Sequence, residues 1–84
     1  MKLQAFSIFD EKSGVFGLPF FTKNKGMALR SFSDLVKDQN TSIFRHPDDF
    51  KLYLIGDFDD VSGELSHLAQ PEFVAHAGDF INDK

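Results

Sequence analysis

The chain begins with a short run that is rich in apolar and aromatic residues, as β-strands are. Residues 2–9 (KLQAFSIF) predict a first strand, and the polar residues 10–14, which end in Gly14, predict a hairpin turn. Residues 15–21 (VFGLPFF) are again apolar, but Gly17 and Pro19 interrupt them. Proline cannot donate a hydrogen bond to a neighbouring strand, so this segment is predicted to be an edge strand or an irregular return.

A different spacing follows, in which apolar residues recur every three or four positions. Asn24 is a suitable N-cap for a helix that begins near Lys25 and ends within residues 38–40, where turn-forming residues collect. The predicted apolar face of this helix consists of Ala28, Leu29, Phe32, Leu35 and Val36.

The second half of the chain predicts a second pair of strands. Residues 45–49 contain a proline and two aspartates, which favour a turn or one short helical turn. Residues 50–58 (FKLYLIGDF) predict the strongest strand, and residues 59–63 predict a hairpin loop into a strand at residues 64–68. Residues 69–84 are ambiguous, because Pro71 breaks the pattern and the apolar residues that follow it have helical spacing.

The predicted order of strand, strand, helix, strand and strand defines an α+β fold, with an antiparallel sheet of about four strands and one long helix on one face. Both faces of this sheet are expected to be apolar: Leu52, Leu54 and Phe58 alternate with Tyr53 and Ile55. One helix covers only one face. The other face must therefore be covered by the C-terminal segment or by another molecule, and we expect self-association, with a two-fold dimer as the simplest form.

Composition restricts the class of protein. A chain of 84 residues is expected to be a single domain, 1–84, and its lack of cysteine excludes disulfides and thiolate metal sites. Eleven phenylalanines are enough to fill a small core and to leave some for a binding surface. No apolar run is long enough for a membrane span, so a cytosolic protein is expected. The net charge of −4 gives no overall attraction for nucleic acid, so any such contact requires a local basic patch.

The sequence contains no pattern typical of an enzyme, a metal site or a cofactor site. The acidic residues at 57–64 do not follow the calcium-loop spacing, because Val61 and Ser62 stand where a ligand and a glycine are required. The three histidines are isolated, and the chain has neither a nucleophile motif nor a glycine-rich phosphate loop. We therefore expect no catalytic residue, no metal and no cofactor.

One segment combines aromatic and basic residues at a predicted helix N-terminus. Two aromatic rings beside several cations could stack a base and hold a phosphate. The alternative is that both rings belong to the core and the basic residues only keep the surface soluble. The candidate nucleic-acid-binding residues are Phe20, Phe21, Lys23, Lys25, Arg30 and Lys37.

Several short segments, taken in order, carry a family resemblance. They are Lys23-Asn24 after Pro-Phe-Phe, the run ALRSF at 28–32, HPDDF at 46–50, LIGDFD at 54–59 with Gly63, and Gln70-Pro71. In this order the chain resembles the small nonstructural protein of gokushoviruses, the single-stranded DNA phages of the Microviridae. The resemblance implies an early, non-virion phage protein of the host cytoplasm, described as DNA-binding and acting between genome replication and packaging. It implies no catalytic residues.

Two hypotheses follow for the function. In the first, a dimer binds single-stranded DNA weakly through two copies of the candidate patch, each of which reinforces the other. In the second, the protein is an adaptor that binds the replication initiator or the procapsid through an apolar sheet face and does not contact DNA.

Overall fold

The computed structural model describes residues 1–81, which form an antiparallel sheet with one long helix packed on one face. The expected α+β arrangement is confirmed. The elements are β1 (Lys2–Asp10), β2 (Val15–Phe16), β3 (Phe20–Thr22), α1 (Lys25–Lys37), α2 (Ser42–Arg45), a 3₁₀ turn (Pro47–Asp49), β4 (Phe50–Asp59), β5 (Leu65–His76) and α3 (Gly78–Ile81).

The sheet has the order β2-β1-β4-β5, with β3 paired to the same edge of β1 as β2. The first hairpin closes where Gly14 adopts a φ of 76°, in the left-handed region that glycine tolerates. The return segment is irregular, as its Gly17 and Pro19 predict, and it divides into β2 and β3. The Ser7 hydroxyl fastens it to β1 by donating to the Gly17 carbonyl oxygen at 2.8 Å.

Helix α1 begins and ends where the sequence predicts, because its cap and its apolar spacing are both local signals. The Asn24 side chain accepts a hydrogen bond from the Met27 amide at 2.9 Å, which satisfies one of the free donors at the helix start. Ala28, Phe32 and Val36 are fully buried against the sheet. The predicted apolar face is wrong at Leu35, whose side chain remains 37% exposed instead of being buried against the sheet.

The residues after Leu68 resolve the ambiguity of the C-terminal segment. The residues from 69 to His76 belong to β5 and do not form a helix. The helix α3 that follows is only one short turn. Pro71 fits in β5 because this is an edge strand and because the pairing skips from Gly56–His67 to Leu54–Glu72, which leaves Pro71 without a β4 partner. Residues 82–84, the last part of the ambiguous segment, lie outside the described residues.

The side of the sheet that α1 covers also receives α3. The Phe80 ring meets the Phe32 ring edge-on, with centroids 5.7 Å apart, and Phe80 packs against the buried cluster. The C-terminal residues through Ile81 therefore lie beside the sheet or on the helix side. They leave the opposite side, called here the open face, uncovered.

A bulge in β4 corrects one predicted side-chain direction. Phe6 pairs with Leu54 while Ala5 pairs with Gly56, so Ile55 is an extra residue on β4. The alternation of β4 changes phase there. Leu52 and Leu54 share the face that α1 covers, but Phe58, which was predicted to share it too, lies on the open face, where its ring contacts Phe21 at a centroid distance of 5.7 Å.

Candidate nucleic-acid interface

Four aromatic side chains lie together on the open face, and we call them the aromatic quartet. Two neighbouring cross-strand rows supply them, since residues paired across an antiparallel sheet point to the same side. One row joins Phe16, Phe9, Lys51 and His76, and the next joins Ser7, Tyr53 and Phe73. The quartet consists of Phe9, Phe16, Tyr53 and Phe73.

The rings of the quartet form a continuous surface. Ring centroids are 4.7 Å apart for Phe9 and Phe16, 5.5 Å for Phe16 and Tyr53, and 5.9 Å for Tyr53 and Phe73. Two of these three pairs are edge-to-face, an arrangement that aromatic quadrupoles prefer, and the Phe9–Phe16 pair is tilted. Phe16 is 44% exposed and Phe73 is 53% exposed, so the outer rings offer apolar area to a ligand.

Charge is divided unequally between the two faces of the sheet. The strand carboxylates occupy rows on the helix side: Asp10 pairs with Phe50, Glu72 with Leu54, Asp57 with Gln4 and Asp59 with Lys2. The paired strand residues of the open face include Lys51, His67 and His76 but no carboxylate. A protein with a net charge of −4 therefore presents one sheet face without strand acids.

Glu11 is the acidic residue that reaches the lysine of the open face. It lies in the turn after β1, and its carboxylate forms an ion pair with the Lys51 ammonium. The hydrogen bond to Glu11 raises the pKa of Lys51 above its ordinary value. Lys51 is thus held beside the aromatic quartet, with Glu11 neutralising part of its charge.

Of the six candidate residues predicted from the sequence, the two phenylalanines lie on opposite faces of the sheet. Phe20 turns toward the core and stacks on Phe6 at a centroid distance of 6.0 Å, whereas Phe21 is 42% exposed on the open face. The sequence carried a signal for this division, because adjacent residues of a strand point to opposite faces.

The four basic residues of that set lie outside the open face. Lys23 and Lys25 are exposed at the start of α1, and the Lys25 ammonium is 3.7 Å from the Glu72 carboxylate. Arg30 and Lys37 are exposed along α1, with Asp34 between them in the sequence. The exposed ring of Phe21 therefore lies on the open face, whereas Lys25, Arg30 and Lys37 belong to α1, which covers the other face.

The aromatic quartet was not predicted from the sequence. Both sheet faces were expected to be apolar, but the binding site was predicted where aromatic and basic residues are adjacent in the chain. The quartet residues lie on four different strands and come together only because these strands pair with one another: they are Phe9, Phe16, Tyr53 and Phe73. The available signal was the alternation of β1 and β4, which places Phe9 and Tyr53 opposite the core residues.

Among residues 1–81, which the structure describes, no helix is both long and apolar enough to cross a bilayer. No group of three or more His, Asp or Glu side chains in the same residues is arranged to bind a metal ion.

The fold and the open aromatic face define the class of protein: a small α+β protein whose antiparallel sheet has one covered and one exposed side. The sequence profile of a family described as phage ORF5 protein matches residues 3–80, nearly the whole chain. The chain belongs to this family and is a bacteriophage protein. Neither a curated protein nor a solved structure matches it significantly.

Proposed function

We propose that this phage protein binds single-stranded DNA weakly through the open face of its sheet. The observation that carries the proposal is the aromatic quartet on a face whose paired strand residues include no carboxylate. Nucleic-acid bases stack on aromatic side chains whatever their sequence, and each stacked base contributes about 1–3 kcal/mol. Exposed rings on a sheet suit single strands, whose bases are free to stack.

Electrostatics keep the proposed affinity modest. Lys51 borders the quartet and offers nitrogen donors to a phosphate backbone, whereas the Nε2 atom of its neighbour His76 already lies 3.3 Å from the Asp48 carbonyl oxygen. Glu11 offsets part of the Lys51 charge, and the whole chain repels a polyanion through its net charge of −4. Binding should therefore depend on stacking, with a small number of released counterions and a correspondingly shallow dependence on salt.

The role that we propose follows from the family resemblance. The chain acts as a non-enzymatic, early protein of a gokushovirus, in the host cytoplasm, where single-stranded genomes pass from replication to packaging. A protein that covers single strands weakly can be displaced when the genome enters the procapsid. This role rests on the proposed DNA binding and on membership of the phage ORF5 family.

The basic patch of Lys23, Lys25, Arg30 and Lys37 is the competing interface for the same ligand. This patch lies on the helix side of the sheet, and the quartet lies on the open face. A DNA strand that stays on the open face therefore does not contact the patch. The charge-reversed variants Lys51→Glu, on the open face, and Lys23→Glu with Arg30→Glu, on the helix side, therefore separate the two interfaces.

The test is an anisotropy titration of a labelled single-stranded oligonucleotide at two salt concentrations, with the lower near 50 mM. We expect Phe73→Ala and Lys51→Glu each to weaken binding at least about fivefold, since each removes a stacking or phosphate contact. The helix-side variant should weaken binding less than Lys51→Glu does, although it changes the net charge by twice as much. If the wild-type chain fails to bind at the lower salt concentration, the DNA proposal is overturned.

An adaptor function is the second candidate, because three of the four quartet rings are phenylalanines, which have no polar group to orient a nucleic acid. In this case the open face binds the phage replication initiator or the procapsid, and DNA is not bound. The same variants decide between the two: Phe73→Ala should then weaken binding to the purified phage protein while the oligonucleotide titration stays flat.

A further inference from the structure

A small apolar pocket lies on the open face beyond the aromatic quartet. One cross-strand row forms its floor, joining Phe21, Ala5, Gly56 and His67 on β3, β1, β4 and β5. In the centre of this row, Ala5 has only a methyl group and Gly56 has no side chain. The residues at its two ends, Phe21 and His67, have large side chains. The result is a cavity of about 120 Å³ that Pro19, Ile55, Leu65 and Ser66 also line.

The most exposed large hydrophobic residue among those described is the chain neighbour of a residue that lines this pocket. Leu18 has 92% of its surface exposed and directly precedes Pro19 in the chain. Its backbone neighbour Gly17 is fixed to β1, because the Gly17 amide donates to the Ile8 carbonyl oxygen at 2.8 Å. A leucine this exposed contributes little buried apolar area to the fold, so its side chain remains available for burial against another molecule.

We propose that the occupant of this pocket is Leu18 of a second copy of the chain, and that the protein is a two-fold dimer. An apolar cavity of about 150 Å³, of the kind left when one leucine is truncated, admits a single benzene ring. A cavity of about 120 Å³ is therefore of the right scale for one leucine side chain. A two-fold interface uses the same surface of both subunits. Leu18 of each subunit can therefore enter the pocket of the other, and one leucine with one pocket makes a self-complementary surface.

The charge of the pocket lining and the area of the open face are both compatible with a second copy of the chain as the occupant. The pocket lining contains no lysine, arginine, aspartate or glutamate, so the two subunits bring no like charges together inside it. The molecule measures 40 × 26 × 19 Å, and half of the broad face corresponds to roughly 500 Å² per subunit. This is at the low end for a specific interface, and the dimer should dissociate in the micromolar range.

The proposed interface leaves the aromatic quartet free. The pocket row lies on the Phe58 side of Ile55, whereas the quartet rows lie on the Lys51 side. Each subunit of a dimer joined through the pockets would keep its own quartet for DNA. The dimer itself does not depend on DNA binding.

The test is sedimentation equilibrium of the full chain from low to high micromolar concentration. We expect the wild type to pass from a 9.5 kDa monomer to a species of twice that mass. Leu18→Asp should weaken the dimer on the order of 100-fold, because the symmetry removes two buried leucines and adds two charges. The matched control is Met27→Asp, since Met27 is an exposed apolar residue on the helix side, and it should leave the dimer intact.

Salt distinguishes this association from DNA binding. Two subunits of net charge −4 repel each other, so added salt should leave the dimer unchanged or strengthen it, whereas it weakens DNA binding. Circular dichroism shows whether Leu18→Asp remains folded, as its exposure predicts. A wild type that stays monomeric at high micromolar concentration, or a folded Leu18→Asp chain that dimerises like the wild type, overturns the proposal.

Discussion

The two faces of the sheet use the same kind of residue for different purposes. On the covered face, Phe6 and Phe32 are fully buried between the strands and α1. On the open face, Phe16 and Phe73 pack against neighbouring rings, yet about half of each side chain remains in solvent. Only the first pair contributes its full apolar area to folding.

This difference is informative because a domain of 84 residues has little stability to spare. Burying a large side chain completely stabilises a protein by about 1.5–3 kcal/mol relative to leaving it exposed. Four aromatic residues on one open face, beside a lysine and without strand carboxylates, are better explained by a ligand than by folding. The covered face should therefore determine stability, and the open face should determine binding.

The largest expected effect is on the covered face. Phe32→Ala should lower the free energy of unfolding by about 3–5 kcal/mol, because it leaves a cavity at the centre of the core. Phe73→Ala should lower it by about 1 kcal/mol or less, since that ring is already half in solvent. Urea denaturation of both variants checks this, and equal losses would remove the distinction between the faces.

The second effect concerns the bulge at which β4 changes phase. A Cβ atom at Gly56 would overlap the Ser66 carbonyl oxygen and lie 3.0 Å from the His67 Cα atom, so both contacts are with backbone. Gly56→Ala should cost about 2 kcal/mol or more, because β5 must move away from β4. Gly14→Asn is the comparison, since Asn tolerates the left-handed region and an added Cβ meets no atom there. A Gly56→Ala variant as stable as wild type would contradict the close approach of β5.

A smaller effect is expected for DNA binding when the Glu11–Lys51 ion pair is broken. Glu11→Gln removes a carboxylate from the border of the aromatic quartet and frees Lys51 for phosphate, so the affinity should rise about two- to threefold at low salt. Asp34→Asn removes the same charge from α1, on the helix side, and should have less effect. If Asp34→Asn raises the affinity more than Glu11→Gln, the DNA path lies along the helix.

The smallest effect is the dependence of this ion pair on pH. The hydrogen bond to Glu11 raises the pKa of Lys51 above 10.5, so the pair stabilises the fold fully below that pH and loses its contribution as pH rises through the higher value. The pair is partly exposed, so the contribution is small. Denaturation curves of wild type and Glu11→Gln should differ slightly at pH 8 and converge as the pH rises through the raised pKa of Lys51. A difference that grows with pH would contradict the assignment.

The sequence predicted what local signals determine. Asn24 and the spacing of Ala28, Phe32 and Val36 define α1 without reference to the rest of the chain. The full length of β5 depends instead on pairing with β4, which is non-local, while Phe73, Val74 and Ala77 have a spacing that also fits a helix. The side of Phe58 was mispredicted for a related reason, because a strict alternation does not anticipate the bulge at Ile55.

The candidate site could be predicted only in part for the same reason. Reading along the chain selected Phe20 and Phe21 as a pair, although the pleat of β3 sends them to opposite faces. The aromatic quartet requires the register of four strands, which no single segment of sequence contains. The absence of strand carboxylates from one face likewise becomes visible only when Asp10, Asp57 and Glu72 are assigned to their rows.

The most direct test of the functional face is an NMR titration of the isotope-labelled chain with a short single-stranded oligonucleotide. We expect the resonances of Tyr53, Phe73 and Lys51 to shift with added strand, while those of Lys23 and Arg30 change little. Shifts confined to Lys23, Lys25 and Arg30, or a spectrum that does not change, would contradict the assignment of DNA binding to the open face.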